Sequence, residues 1–193
     1  MIECPCDLGD FARAGRDEST LTETELDLAE LGAELGAHYT SLGHKVNCTR
    51  STPVYANLRP AALKRALMNL IDNALRYGGG ADNAAPEIDI AVMEHDGMAV
   101  IEIRDRGPGI PPESAERLKQ PFTRLDEARG SVDGTVEAAQ GGSGLGLAIV
   151  DRIVRQHGGQ FDLLPRQGGG LVARITLPQH PVPSQTTLAK EAK

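Results

Sequence analysis

The sequence predicts a two-layer α/β sandwich, a mixed and mostly antiparallel sheet with its helices on one face. Three observations predict it. "EIDIAVME" and "MAVIEIRD" flank Asp96-Gly97, with Ile88, Ile90 and Val92 alternating, the pattern of a hairpin closed by a tight turn. "GQFDLL" and "LVARITL" flank "RQGGG", with Leu171, Ala173, Ile175 and Leu177 alternating in the same way. Helical stripes lie before and between these hairpins, which disfavours an all-parallel doubly wound sheet.

The remaining elements follow in chain order. Asp27 and Glu30 have the spacing of a capping box, and Leu28, Leu31, Leu35 and Tyr39 recur at helical spacing, so a short amphipathic helix is expected up to the "SLGHK" turn. "KVNCTR" and "VYANL" come next, the second alternating Val54, Ala56 and Leu58 as a half-buried strand does. Pro60 suits a first helical position, where a missing N–H is harmless, and opens the longest helical stretch, residues 60–77. After the first hairpin come a loop punctuated by Pro and Gly, a short helix around 113–119, a long polar loop to about residue 142, and another helix. Residues 23–178 are therefore expected to form the domain. Residues 1–22 read as a linker or the frayed end of a preceding helix, and 179–193, "QHPVPSQTTLAKEAK", as a disordered tail.

Composition narrows the function classes. A chain of 193 residues that is 40% hydrophobic can bury the core of one ordinary domain. Its formal net charge of -7 argues against a nucleic-acid partner, which would require a surface that tracks phosphates. No apolar run nears the roughly 20 residues needed to span a bilayer, and the N-terminus lacks a signal-peptide layout, so a soluble, cytoplasmic chain is expected. Cys4, Cys6 and Cys48 are odd in number and lack CxxC spacing, so they are read as free thiols.

Three stretches carry candidate chemistry. "GGSGLGLAIV" has four glycines leading into an apolar helix. A dinucleotide fingerprint would follow a buried strand, whereas "EARGSVDGTVEAAQ" is polar and no strand. A helix N-terminus that takes phosphates remains, with Leu145, Ile149 and Ile153 seating the helix; a slack, glycine-rich helix start explains the segment equally well. In "RPAALKRALMNLIDNALRYG", Leu63, Leu67, Leu70 and Ala74 form an apolar stripe, and Asn69, Asn73 and Arg76 share the neighbouring one. Asparagine competes for backbone hydrogen bonds in mid-helix, so a pair there calls for a reason, and an amide oxygen is a suitable hard ligand for magnesium. "IEIRDRGPGIPPE" ends a strand in Asp105, whose carboxylate could accept from the exocyclic amine of adenine beside Gly107 and Gly109.

In this order the stretches resemble the boxes of the GHKL ATPases, most closely the catalytic and ATP-binding domain of sensor histidine kinases. "NLIDNALRYG" resembles the N box, "DRGPGI" the G1 box, "PFTRLDEAR" the F box and "GGSGLGLAIV" the G2 box, over roughly residues 25–178. "PFTR" and "GSGLGLAIVDRIV" are similar to the EnvZ-like osmosensor type.

The resemblance implies a Bergerat-type sandwich holding Mg-ATP under a lid formed by residues 125–141. It implies Asn73 as the magnesium ligand and Asn69 as its partner near the γ-phosphate, with Arg76 and Tyr77 on the phosphate side. Asp105 would read adenine in a pocket shaped by Gly107, Gly109 and Ile110. Phe122 would be the F-box aromatic, Arg124 and Arg129 would reach the phosphates, and Gly142, Ser143, Gly144, Leu145 and Gly146 would wrap them.

The family's phosphoacceptor histidine has no match here. His38, His44, His95, His157 and His180 all lie in other settings, and His95-Asp96 runs into Gly97 as a turn. The resemblance therefore implies the ATP-binding part of a larger kinase, with residues 1–22 the remnant of a dimerisation helix. The fragment would be monomeric and would act on the dimerisation domain of a homodimeric parent. That parent would sit in the inner membrane with this domain on the cytoplasmic side, and would serve a response regulator. A nucleotide-responsive regulator without transfer, a serine kinase of the anti-sigma type and a gyrase-type clamp are the rival readings.

Overall fold

The computed structural model describes residues 22–49, 52–79, 85–124 and 144–179. Along the chain run β1 (Thr24–Asp27), α1 (Leu28–Ser41), β2 (Lys45–Cys48), β3 (Tyr55–Leu58), α2 (Pro60–Tyr77), β4 (Glu87–His95) and β5 (Met98–Arg104). A 3-10 turn, Pro112–Ser114, leads into the single-turn α3 (Ala115–Leu118); α4 (Gly146–Gln156), β6 (Gln160–Pro165) and β7 (Leu171–Pro178) follow. The expected lid (125–141), the tail after Gln179, the N-terminal linker before Thr22, and Arg129, Gly142 and Ser143 lie outside the described residues.

The main sheet has the order β2-β4-β5-β7-β6. Among the described residues only β2 and β4 pair in parallel, as the long connection through β3 and α2 allows; the other neighbours in this sheet are antiparallel. Asp96 (φ 51°) and Gly97 (φ 72°) are both left-handed, the backbone that matches a two-residue turn to the twist of its strands. "VYANL" is a strand but not part of this sheet. It pairs with β1 as a separate antiparallel ribbon. β1 had no sequence signal, because "TELD" carries one apolar residue and its partner lies some thirty positions away.

Asp27 caps α1, its Oδ1 accepting from the N–H of Ala29 at 2.9 Å and of Glu30 at 3.4 Å. Glu30 itself stays exposed, so of the capping box the Asp27 half is the one that forms. The Leu28 N–H donates to the Val54 carbonyl at 2.9 Å, fastening the helix start to the approach to β3.

All three long helices lie on one face of the sheet: α1 over β2 and β4, α2 over β4 and β5, α4 over β6 and β7. Ile88, Ile90, Ile101, Ile103, Ile175 and Leu177 line that face and are buried. Alternation turns the intervening residues to the opposite face. There Glu102, only 4% exposed, receives Arg104 from its own strand and Arg174 from β7, each through an Nε–Oε distance of 2.7 Å. Burial pushes the Glu102 carboxyl up, but the two guanidinium groups outweigh it and hold it below the usual range. A carboxyl so lowered contributes stability above its ordinary pKa and loses it as the pH falls through the lowered one. Glu102→Gln should lower the unfolding free energy near neutral pH by about 1.5–3 kcal/mol, the worth of hydrogen bonds to a charged group. Denaturant titrations across acidic pH should show the gap to the parent chain closing; a gap that widens on acidification would contradict the assignment.

Candidate functional site

The site is organised around α2. Its stripe of Leu63, Leu67, Leu70 and Ala74 is buried against the sheet. Burying one leucine contributes roughly 1.5–3 kcal/mol, so these positions fix the roll of the helix and with it the direction of the next stripe. That stripe carries Asn69 and Asn73, both half-buried. Asn69 Nδ2 donates to the Arg65 carbonyl at 3.0 Å, which commits the nitrogen to the helix and leaves Oδ1 facing outward.

The start of α4 lies on this face. A Cβ placed on Gly146 would stand 3.3 Å from Asn69 Oδ1 and 3.4 Å from Asn73 Nδ2. Leu145 is fully buried and caps α4 without any side-chain hydrogen bond, and the first turn has no acidic residue. Among the described residues the first-turn N–H groups are given no side-chain acceptor, and the positive end of the helix dipole faces the two carboxamides. Ile149 and Ile153 are buried and seat the helix, as their spacing predicts. Just before it, Gly144 accepts from the Phe122 N–H at 3.0 Å, joining the two sides of segment 125–143. Phe122 is left-handed (φ 64°) with its ring 58% exposed, a strained backbone for an aromatic residue.

The other end of the cleft is built on Asp105, 8% exposed where β5 stops. Its Oδ1 accepts from the N–H groups of Gly107 at 2.9 Å and Leu171 at 3.1 Å. Burial nevertheless prevails and pushes its pKa up. Backbone crowds it from two sides: a Cβ on Gly78, which caps α2, would lie 2.6 Å from Asp105 Cβ, and one on Gly170 would fall on the Asp105 carbonyl. A Cβ on Gly109 (φ 69°) would stand 3.0 Å from the Gly170 carbonyl, and Ile110 packs against the core edge.

Asn69, Asn73, Gly144, Leu145 and Gly146 thus gather at one end, and Asp105, Gly107, Gly109 and Ile110 at the other. Helical rise separates Asn73 from Gly78 by about 7 Å along α2. Arg76 and Tyr77 are exposed on the last turn of α2, the Tyr77 ring by 54%, and Arg124 is half-buried beyond Phe122. Gly78, Arg166, Gly170 and Leu171 were not read as site residues from the sequence. The one available signal was the length of "RQGGG", whose three glycines all take positive φ and exceed what a turn alone requires.

Comparison with known proteins agrees with this architecture. The chain belongs to the histidine kinase-, DNA gyrase B- and HSP90-like ATPase family, whose match spans residues 59–181. Sensor protein CutS of Streptomyces coelicolor is 34% identical over 171 residues, 86% of this chain and 38% of that protein. Sensor histidine kinase CpxA of Escherichia coli is 41% identical over 126 residues, 65% of this chain and 24% of CpxA. The chain therefore spans less than half the length of these relatives. The histidine kinase domain of the E. coli osmosensor EnvZ superposes with a TM-score of 0.61 at 31% identity, covering 89% of this chain and 96% of that one. Mycobacterial sensor histidine kinase MprB gives 0.63 at 26% identity, covering 83% and 99%.

A raised carboxyl pKa favours the fold below the ordinary aspartate range and burdens it as the pH rises through the raised value. Asp105→Asn keeps an oxygen for the Gly107 and Leu171 N–H groups and removes the charge. Near neutral pH the ligand-free variant should unfold at the same temperature as the parent or higher, with the difference vanishing in acid. Thermal melts at both pH values check this, and a neutral-pH melting point well below the parent's would contradict it.

Proposed function

We propose that this chain is the catalytic and ATP-binding domain of a two-component sensor histidine kinase, transferring the γ-phosphoryl group of Mg-ATP to a histidine on a separate dimerisation domain. The observation that carries the reading is the approach of Gly146 to Asn69 and Asn73, which sets a helix start without a side-chain cap among the described residues against two carboxamides. A phosphate chain fits the N–H groups of that start. A magnesium ion fits the chemistry of the donor set, since the amide oxygens of Asn69 and Asn73 are hard, neutral ligands and both lie within 4 Å of where a Cβ on residue 146 would stand. Asn73 would ligate the ion, and when bound it would supply charge neutralisation to the phosphates.

The chain's own residues then do the positioning. Asn69 orients the γ-phosphate end through its outward Oδ1, and Arg124, Arg129 and Arg76 supply positive charge along the phosphates, with Tyr77 beside them. The backbones of Gly142, Ser143, Gly144, Leu145 and Gly146 wrap the chain, and Phe122 orders the join at Gly144. Asp105 accepts from the adenine amine, with Gly107, Gly109 and Ile110 bounding the base. An imidazole nitrogen of the acceptor forms the N–P bond while the bond from the γ-phosphorus to the β–γ bridging oxygen breaks and ADP leaves. Such transfer depends on alignment and charge stabilisation, so no covalent intermediate with this chain is required.

Two of the described histidines have partners within the fold. His157 is buried and occupied, Nδ1 against the Ile153 carbonyl at 2.8 Å and Nε2 accepting from the Arg59 N–H at 3.2 Å. His95 lies against Asp96 in the hairpin turn. The phosphoryl group would pass on to a response regulator. The parent would be a homodimer anchored in the inner membrane with this domain on its cytoplasmic side; among the described residues no helix is long and apolar enough to cross a membrane.

Mixing this chain with a dimerisation domain that carries an acceptor histidine and γ-labelled Mg-ATP should place acid-labile label on that domain. Tight ATP binding with no label transferred would favour the nucleotide-responsive regulator instead. Asn73→Ala should lower nucleotide affinity in magnesium by about ten- to hundredfold, the scale of one lost contact to a charged group, with little change in chelator. Equal affinities in magnesium for variant and parent would remove Asn73 as the ligand.

A further inference from the structure

We infer that Arg166, braced by Asp89, is a positioning residue that holds the Asp105 carboxylate in the orientation in which it meets the base; this rests on the nucleotide reading above.

The inference comes from a substitution in the β5–β7 ladder. Arg104 pairs with Val172, so Asp105 and Leu171 are the next partners in register. A hydrogen-bonded antiparallel pair exchanges two N–H···O bonds. One of the two is present, Asp105 N–H to the Leu171 carbonyl at 3.0 Å. The return bond is diverted: the Leu171 N–H donates to Asp105 Oδ1 at 3.1 Å in place of the Asp105 carbonyl. The side chain has taken the place of its own main chain, and this is what turns the carboxylate along the sheet edge and leaves Oδ2 for another donor.

The displaced carbonyl must find a donor, since a polar group shielded from water is costly when unpaired. Arg166 supplies it, with Nη1 at 3.0 Å. Its Nη2 is held by Asp89 Oδ2 at 2.7 Å, and Asp89 Oδ1 is held by Asn47 at 3.2 Å from the edge strand β2. Arg106 adds a more distant charge, its Nη2 3.9 Å from Asp89. The Arg166 and Asp89 side chains are 19% and 21% exposed, so the pair is shielded far better than a surface ion pair. Without Arg166 the Asp105 carbonyl would compete for the Leu171 N–H, restore the ordinary ladder and release the carboxylate. The turn that carries Arg166 is itself closed, Arg166 N–H to the Gly170 carbonyl and Gly169 N–H to the Arg166 carbonyl, both at 3.1 Å.

The test compares ATP with inosine triphosphate, which bears a carbonyl where adenine bears the amine, in magnesium by calorimetry. Arg166→Ala should weaken ATP about tenfold, the worth of roughly one hydrogen bond, and inosine triphosphate less than about twofold. Asp89→Asn should shift the same ratio in the same direction, less far, and carries the test if Arg166→Ala does not fold. Equal losses for both nucleotides, or unchanged ATP affinity, would overturn the positioning role and leave the nucleotide reading standing. No preference for ATP in the unsubstituted chain would overturn both.

Discussion

The close approach of Gly146 to the carboxamides of α2 is the contact on which the site depends. The first residue of α4 offers only backbone to those carboxamides, and a methyl group there would make a tight contact, 3.3 Å from Asn69 Oδ1. The approach is held from below by a fully buried Leu145 and by Ile149 and Ile153 in the core. Apolar packing thus supplies the force that brings two polar surfaces together, and neither surface must attract the other for the cleft to exist. The first N–H groups of α4 and the outward Oδ1 of Asn69 are then arranged before any ligand arrives, as preorganised binding requires.

Three shielded carboxylates show how the fold separates scaffold from site. Glu102 and Asp89 both lose solvation, yet their partners, two arginines for Glu102 and the Asn47 amide with Arg166 and Arg106 for Asp89, outweigh the burial and lower their pKa values. Asp105 is buried too, but its direct partners are backbone N–H groups, with Arg166 a more distant charge, and burial wins. A carboxylate that burdens the fold near neutral pH persists where it serves something other than stability. The contrast separates Asp105 from the scaffold carboxylates without reference to any relative.

Much of the architecture was legible because it rests on short-range chemistry. Pro60 and the apolar stripe located α2 at residues 60–77, and Asp96-Gly97 located the hairpin turn, since both signals are local to the chain. The asparagine pair was legible for the opposite reason, as residues that weaken a helix and so call for another role. β1 was not, because "TELD" becomes a strand only through its pairing with Tyr55–Leu58. Gly170 and Arg166 were hidden in the same way: their importance arises from the Asp105 carbonyl, some sixty positions earlier, which no periodicity in "RQGGG" reports.

The central claim is that nucleotide and ion occupy the space between α2 and the start of α4. Replacing magnesium with paramagnetic manganese in an ATP titration followed by NMR tests it most directly, because broadening reports proximity to the ion residue by residue. The side-chain amide signals of Asn69 and Asn73 and the N–H of Gly146 should broaden first, and only when ATP is present. Sharp signals at those three residues, with broadening elsewhere, would contradict the account.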